Sequence, residues 1–355
     1  MRDVAVVGFA QRQLKEMDGS PTCVELLVPI FAELFEQTGW TKNDIDFWCS
    51  GSSDYLAGRS FSFVSAVDAI GALPPVMESH VEMDAAWALY EAWVKIQTGE
   101  VDTALVYGFG KSSAGVLRRT LALQLDPYTV QPLWPDTVSL AGLQARLGLE
   151  HGLWDEKAMA EVVARSMTDA ASNEYAIRKG ETSLDDVLAQ PMYADPLRRW
   201  DCAPSSDGAA AIVLAAGDRA HSAQERPAWI SGFQHRIEPI ALNARDLTTS
   251  TSTALAGAAI PGGVDGVDVA ELHAPFSHQE IVLKRALGLA EDVTINPSGG
   301  ALTANPMFTA GLNRIGEAAR RIWAGSSDRA LAHATSGPVL QQNLVCTLDA
   351  TKGNS

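Results

Sequence analysis

In Val81-Glu-Met-Asp84-Ala-Ala-Trp-Ala-Leu-Tyr-Glu-Ala-Trp-Val-Lys-Ile-Gln-Thr-Gly99-Glu-Val-Asp-Thr-Ala-Leu-Val-Tyr-Gly-Phe-Gly110, several local signals follow one another. A short entry strand meets a small-residue turn, then an amphipathic helix from Ala85, a glycine stop at Gly99 and a buried strand through Leu105. Strand, helix and strand in close succession are the unit of a layered α/β protein. Asp84 stands at the turn where the helix opens. As a helix cap it would accept backbone N–H bonds, gain about 1 kcal/mol and have a lowered pKa. As a general base it would stand free in a pocket with its pKa raised by burial.

Working outward, the same motif set recurs at an offset of roughly 225 residues, a period that means duplicated halves rather than a solenoid. Val4-Ala-Val-Val-Gly-Phe9 answers to Ala228-Trp-Ile-Ser-Gly-Phe233, both first strands closed by Gly-Phe. Lys42-Asn-Asp-Ile-Asp-Phe-Trp-Cys49 answers to Val264-Asp-Gly-Val-Asp-Val-Ala-Glu271, and Gly99-Glu-Val-Asp-Thr-Ala-Leu105 to Gly325-Ser-Ser-Asp-Arg-Ala-Leu331. The expected halves are 1–217 and 218–355. Helices are expected at 23–38, 85–98, 157–179, 277–287 and 309–324. The stretch from about 111 to 200, rich in Leu, Trp, Arg and Pro, has no partner in the second half and reads as an inserted loop domain walling a substrate site. The tail 350–355 reads as frayed.

The chain has 355 residues, enough for two domain-sized cores, and a formal net charge of -16. Such an acidic surface repels nucleic acid and anionic membrane. A phosphorylated ligand would therefore need a local basic patch, for which Arg118-Arg119, Arg198-Arg199, Lys284-Arg285 and Arg320-Arg321 are candidates, although most such pairs are solvated helix ends. The four cysteines (Cys23, Cys49, Cys202, Cys346) show no metal or redox spacing and read as buried thiols in a reducing compartment. The N-terminus enters a strand directly without signal-peptide shape, and no apolar run is long enough to span a bilayer, so a cytoplasmic protein is expected.

Four blocks carry a resemblance to the thiolase superfamily that covers almost the whole chain. They are the Asp84 region, Asp201-Cys-Ala-Pro-Ser-Ser-Asp-Gly-Ala-Ala-Ala211, Glu271-Leu-His-Ala-Pro-Phe-Ser277, and Asn296-Pro-Ser-Gly-Gly-Ala-Leu-Thr-Ala-Asn-Pro306 with Gly311. The resemblance implies a thiolase fold, two tandem α/β halves in five layers (α-β-α-β-α) with a loop-domain insertion in the first half. Asp46-Phe-Trp-Cys-Ser-Gly-Ser-Ser-Asp-Tyr55 and Glu78-Ser-His-Val-Glu-Met-Asp84 are similar to the lipid-transfer-protein branch, relatives of the sterol carrier protein thiolase in actinobacterial steroid catabolism. The departures are informative. Asp84 stands where the superfamily keeps its nucleophilic cysteine, Asn305 where it keeps a histidine that helps form an oxyanion hole, and Thr335-Ser336-Gly337 near its late acid/base cysteine. Steroid retro-aldolases of the branch rely on tyrosines, and here His273 and Pro338 occupy those neighbourhoods. A carboxylate cannot form the thioester that a thiolate forms.

The candidate catalytic residues are accordingly His273, Asn305 and Asp84. An imidazole in a loop facing a pocket titrates near neutral pH and can move a proton, although a core histidine bonded to a backbone carbonyl would look the same. The Asn305 amide can polarise a thioester or ketone oxygen, or simply favour the turn before Pro306. His273 and His278 are poorly spaced for a shared metal, so no metal site is expected, and no cofactor beyond the coenzyme A of a substrate. His80 and Asp84 share a strand side without being adjacent. What the resemblance implies is an acyl-CoA, plausibly steroid-derived, handled by carbon–carbon cleavage or acyl transfer without a cysteine nucleophile. It also implies a homo- or heterodimer with a thiolase-like chain and a possible small OB-fold, zinc-ribbon partner. The alternative is a non-catalytic subunit that scaffolds an active relative.

Overall fold

The computed structural model describes residues 2–14, 21–57 and 60–352; the last three residues of the expected frayed tail lie outside these. The chain runs β1 (Val4–Leu14), α1 (Cys23–Thr38), β2 (Phe47–Gly51), α2 (Asp54–Ala57), α3 (Ser62–Ile70), β3 (Glu78–Val81), α4 (Ala85–Gln97) and β4 (Thr103–Lys111). Next come α5 (Leu117–Ala122), α6 (Thr137–Glu150), α7 (Glu156–Asp169), α8 (Leu184–Leu188) and the hairpin β5 (Met192–Ala194)–β6 (Leu197–Arg198). Then follow β7 (Ser205–Ala216), α9 (Asp218–Ala223), β8 (Ala228–Ile237), α10 (Thr251–Ala258), β9 (Val269–Leu272), α11 (Ser277–Leu287), β10 (Thr294–Ile295) and β11 (Asn305–Pro306). The chain closes with α12 (Ala310–Trp323), β12 (Arg329–Ser336) and β13 (Gln342–Asp349).

The main sheet has the order β10-β9-β12-β13-β8-β1-β7-β4-β2-β3, with β11 beside β7. It reads alike from its middle outward. β1 and β8 pair antiparallel at the centre, each flanked by an antiparallel strand (β7 or β13) and then by parallel strands (β4-β2-β3 or β12-β9-β10). The two-residue period of a strand divides its side chains between two cores. On β7, Ala210, Ile212, Leu214 and Ala216 enter a central core with α4 and α12, while Ala209, Ala211, Val213 and Ala215 enter an outer core with α1. On β12, Ala330, Ala332 and Ala334 face the central core and Leu331 faces an outer one shared with α10 and α11. Helix, sheet, paired central helices, sheet and helix therefore alternate, the mixed α/β architecture of the thiolase fold.

β1 shows how local geometry maintains this division. Val4 and Val6 face the central core and Ala5 and Val7 the outer one; a register shift at Val6/Gly8 then returns Phe9 to the centre. An inserted residue shifts the phase of a strand by one and turns the following side chains over.

Helices α1 and α11 match their expected spans, and α4 and α12 match within a residue at each end. The helix expected to continue to Lys179 stops at Asp169, followed by a short 3-10 turn through Ser172. Asn173 accounts for the stop: its Oδ1 accepts the Tyr175 N–H at 3.0 Å, a local turn that competes with helix propagation. Among the described residues no helix is long and apolar enough to cross a membrane.

Candidate functional site

The N-termini of α4 and α12 converge on one side chain. Asp84 caps α4, its Oδ1 accepting the Ala86 N–H at 2.9 Å. The same carboxylate accepts the Gly311 N–H on Oδ2 at 2.9 Å and the Leu312 N–H on Oδ1 at 3.1 Å, both from the first turn of α12. Unpaired N–H groups and aligned peptide dipoles make each helix mouth an acceptor site, and here two mouths share one carboxyl group. Asp84 is 5% exposed. Burial pushes its carboxyl above the ordinary value, while the three N–H donors and Arg314 pull it down. Close approach requires Gly311, where a Cβ would stand 2.7 Å from Asp84 Oδ1 and 2.6 Å from the Ala334 Cβ. The remaining donor of this turn, the Ala85 N–H, goes to the Phe308 carbonyl at 2.9 Å. Phe308 holds a positive φ of 68°, and β4 admits the segment at Gly110, where a Cβ would meet the Met307 carbonyl at 2.2 Å.

His273 follows β9 and is 7% exposed. Its Nδ1 accepts the Thr335 backbone N–H at 3.3 Å, and its Nε2 lies 2.9 Å from Asn305 Oδ1. A backbone N–H can only donate, so Nδ1 is the acceptor nitrogen, Nε2 carries the proton, and the ring donates to Asn305. Burial lowers its pKa to about 4, against the pull of the Asn305 bond. Asn305 is half-buried on β11, its own N–H bonded to Ser206 Oγ at 2.9 Å. With its oxygen engaged by His273, its amide N–H bonds point elsewhere.

The structure thus joins His273 and Asn305 directly. Asp84 takes the capping geometry, with all of its bonds going to backbone N–H groups. His80 turns instead to Ser50 Oγ at 2.9 Å and stacks on Phe63 at 4.7 Å. The Thr335 hydroxyl is spent on the Gln342 carbonyl at 3.1 Å. His278, fully buried, bonds Gln144 Oε1 at 3.0 Å. None of the cysteines takes part in these contacts; burial raises the thiols of Cys49 and Cys202 to about 12, and that of Cys346 further.

Sequence reasoning missed the ion pair beneath the site. Arg314 Nη1 donates to Glu271 Oε2 at 2.7 Å, with side chains 3% and 0% exposed, and to Ser298 Oγ at 2.7 Å. A cation in the apolar run of α12 was the available signal. A second feature lies in the segment 111–200, where Arg118-Arg119 and Arg198-Arg199 are candidate basic patches. The Tyr193 ring carries the Arg118 and Arg199 guanidiniums at 5.1 and 4.9 Å, and Arg178 donates to the Cys202 carbonyl at 2.7 Å. Burial and Arg199 together lower Arg178 to about 10. Beside them is a surface cleft of about 360 Å³ lined by Val116, Arg118, Arg119, Ala122, Trp134 and Asp136.

The buried imidazoles predict a pH effect. His278 falls to about 3 in the folded state because of burial. Between its ordinary value of about 6.5 and this folded value, the unfolded chain binds a proton that the native state refuses, so stability falls as pH falls. Urea unfolding of His278→Gln between pH 6 and 4 is expected to show a slope of stability on pH shallower than wild type by up to about 1.4 kcal/mol per pH unit. Equal slopes would contradict this assignment.

No protein-family model matches the chain. Over 89% of its length, and 89% of the relative, it is 27% identical to the acetyl-CoA acetyltransferase of Methanocaldococcus jannaschii. It is 25% identical to human sterol carrier protein 2, over 65% of this chain and 49% of that protein. Among solved structures, the Ltp2-ChsH2(DUF35) aldolase superposes with a TM-score of 0.80 at 18% identity, covering 98% of each chain.

Proposed function

We propose that this thiolase-like chain handles a steroid-type acyl-CoA in lipid catabolism without covalent capture, and that Asp84 fills the helix mouth where kindred proteins hold their cysteine. The observation that carries this reading is the saturated Asp84 carboxylate, bonded to three N–H groups from two helices. The carboxyl group resident there leaves no place for an acyl thioester. The chemistry moves to the His273–Asn305 pair. His273, neutral and donating through Nε2, orients Asn305; the Asn305 amide then donates to a thioester or ketone oxygen, as an oxyanion donor does. Proton abstraction by His273 is disfavoured, because its lone pair is engaged by Thr335 and its pKa lies far below neutral.

The coenzyme A moiety is assigned to the insertion. Arg118, Arg119, Arg178 and Arg199 gather there on a chain of net charge -16, with Trp134 half exposed beside the cleft. Guanidiniums suit phosphates and an indole face suits a purine. Carbon–carbon cleavage of retro-aldol type is the reaction class, since it needs carbonyl polarisation and no acyl-enzyme.

A second reading has its own support. Among the described residues no carboxylate hydrogen-bonds to His273 or Asn305, and a thiolase-like partner or a small OB-fold protein would supply the base. The similarity to an aldolase whose name joins two proteins favours such a complex. The test is turnover of a β-hydroxyacyl-CoA by the chain alone, and mixed with proteins that co-purify with it. Asn305→Ala is expected to lower kcat about 10²-fold with a small change in KM. Unchanged kcat would remove the pair from the chemistry. A wild-type chain silent alone but required in the mixture would favour the second reading.

A further inference from the structure

A line of polar groups, from the part-exposed Arg165 inward, connects α7 to the strand that precedes His273. Arg165 on α7 donates through Nη2 to both carboxylate oxygens of Glu280 on α11, at 2.6 and 2.7 Å. The Glu280 side chain is 6% exposed. Its Oε2 also accepts from Asn296 Nδ2 at 2.7 Å. Asn296 Oδ1 in turn accepts the N–H of Leu272, the residue before His273, at 2.6 Å. Asn296 holds a positive φ of 49°, a conformation that persists only when its surroundings fix it. Next to it, the Ser298 N–H and hydroxyl both donate to Glu271, at 3.0 and 2.7 Å. Both residues preceding His273 are therefore held by the segment 296–298.

The orientation of the Asn296 amide is the controlling variable. Leu272 offers a donor and needs the amide oxygen, so the NH2 must face Glu280. Both Glu280 oxygens already accept from the Arg165 guanidinium, and a carboxylate oxygen so held accepts the Asn296 NH2, which fixes that orientation. We propose that Arg165 and Glu280 are positioning residues, which act through Asn296 to set the end of β9 and hence the direction of the His273 Nε2–H toward Asn305. The functional weight of this geometry rests on the reading of His273 and Asn305 given above; the geometry itself is tested without it.

The probe is the His273 side chain in the ¹⁵N-labelled full-length protein, observed by NMR as its tautomer and Nε2 proton exchange. Two variants remove the Arg165–Glu280 pair alike and differ in one acceptor. Arg165→Met with Glu280→Gln keeps an amide oxygen for Asn296, whereas Arg165→Met with Glu280→Leu does not. The first is expected to retain the Nε2–H tautomer with exchange near the wild-type rate. The second is expected to exchange at least roughly tenfold faster, with its far-UV circular dichroism unchanged. Identical behaviour of the two variants would overturn the proposal. Should the NMR order hold while acyl-CoA turnover does not follow it, the positioning stands and the assignment of His273 and Asn305 to the chemistry fails.

Discussion

Replacing Asp84 by Ala is expected to destabilise the fold by about 3–5 kcal/mol, and by Asn somewhat less. The alanine leaves the N–H groups of Ala86, Gly311 and Leu312 without an acceptor in a buried site. Each orphaned donor costs about 1–3 kcal/mol, and three sharing one acceptor add less than their sum. Asparagine keeps one oxygen, enough for the two bonds now made to Oδ1, but turns an NH2 toward the Gly311 N–H. Total stability of a globular protein is about 5–15 kcal/mol, so the alanine variant loses a large share of it. The loss falls on the contact between α4 and α12, which occupy the central layer between the two halves of the sheet. Urea unfolding monitored by tryptophan fluorescence gives the change directly. A loss below about 1 kcal/mol for Asp84→Ala would mean that the carboxylate does not join the two helices.

Asp84→Cys is expected to behave in the opposite electrostatic sense from the native cysteines. Burial drives the thiols of Cys49 and Cys202 up to about 12, so they are inert at neutral pH. A thiol at position 84 inherits three N–H donors and two helix N-termini. Comparable placements bring cysteine to about 3.5–7.5, against a burial penalty that the aspartate already bears. Thiolate absorbance near 240 nm, taken as variant minus wild type over pH 4 to 10, is expected to show one thiolate already formed at pH 7. Difference absorbance appearing only above pH 9 would show that burial outweighs the two helix mouths.

The parts of this arrangement that were legible in the sequence are those written in side chains. The apolar spacing of α4, the Gly99 stop and the capping acid at Asp84 identify a strand–helix–strand unit from the residues alone. His273 and Asn305 stand out because their loops match known motifs. The parts that were hidden are written in backbone. Asp84 is bound by the Gly311 and Leu312 N–H groups, and the tautomer of His273 is set by the Thr335 N–H. A backbone donor has no residue signature, so both contacts required the fold. α6 was missed for a different reason. Its N-cap Asp136 and its buried residues, Leu140, Ala141, Gln144 and Ala145, have helical spacing, but Pro132 and Pro135 just before them read as loop. The Arg314–Glu271 pair was hidden because long-range ion pairs leave only an out-of-place charge in each partner segment.

The measurement that bears most directly on the absence of covalent capture is intact-protein mass spectrometry after incubation with an acyl-CoA. Wild type and Asp84→Cys are quenched in acid, which preserves thioesters. The account predicts an unmodified mass for wild type, and for the variant an added acyl mass that peptide digestion maps to the introduced thiol. An acyl group found on wild type, mapped in the same way to any of its native cysteines, would contradict it.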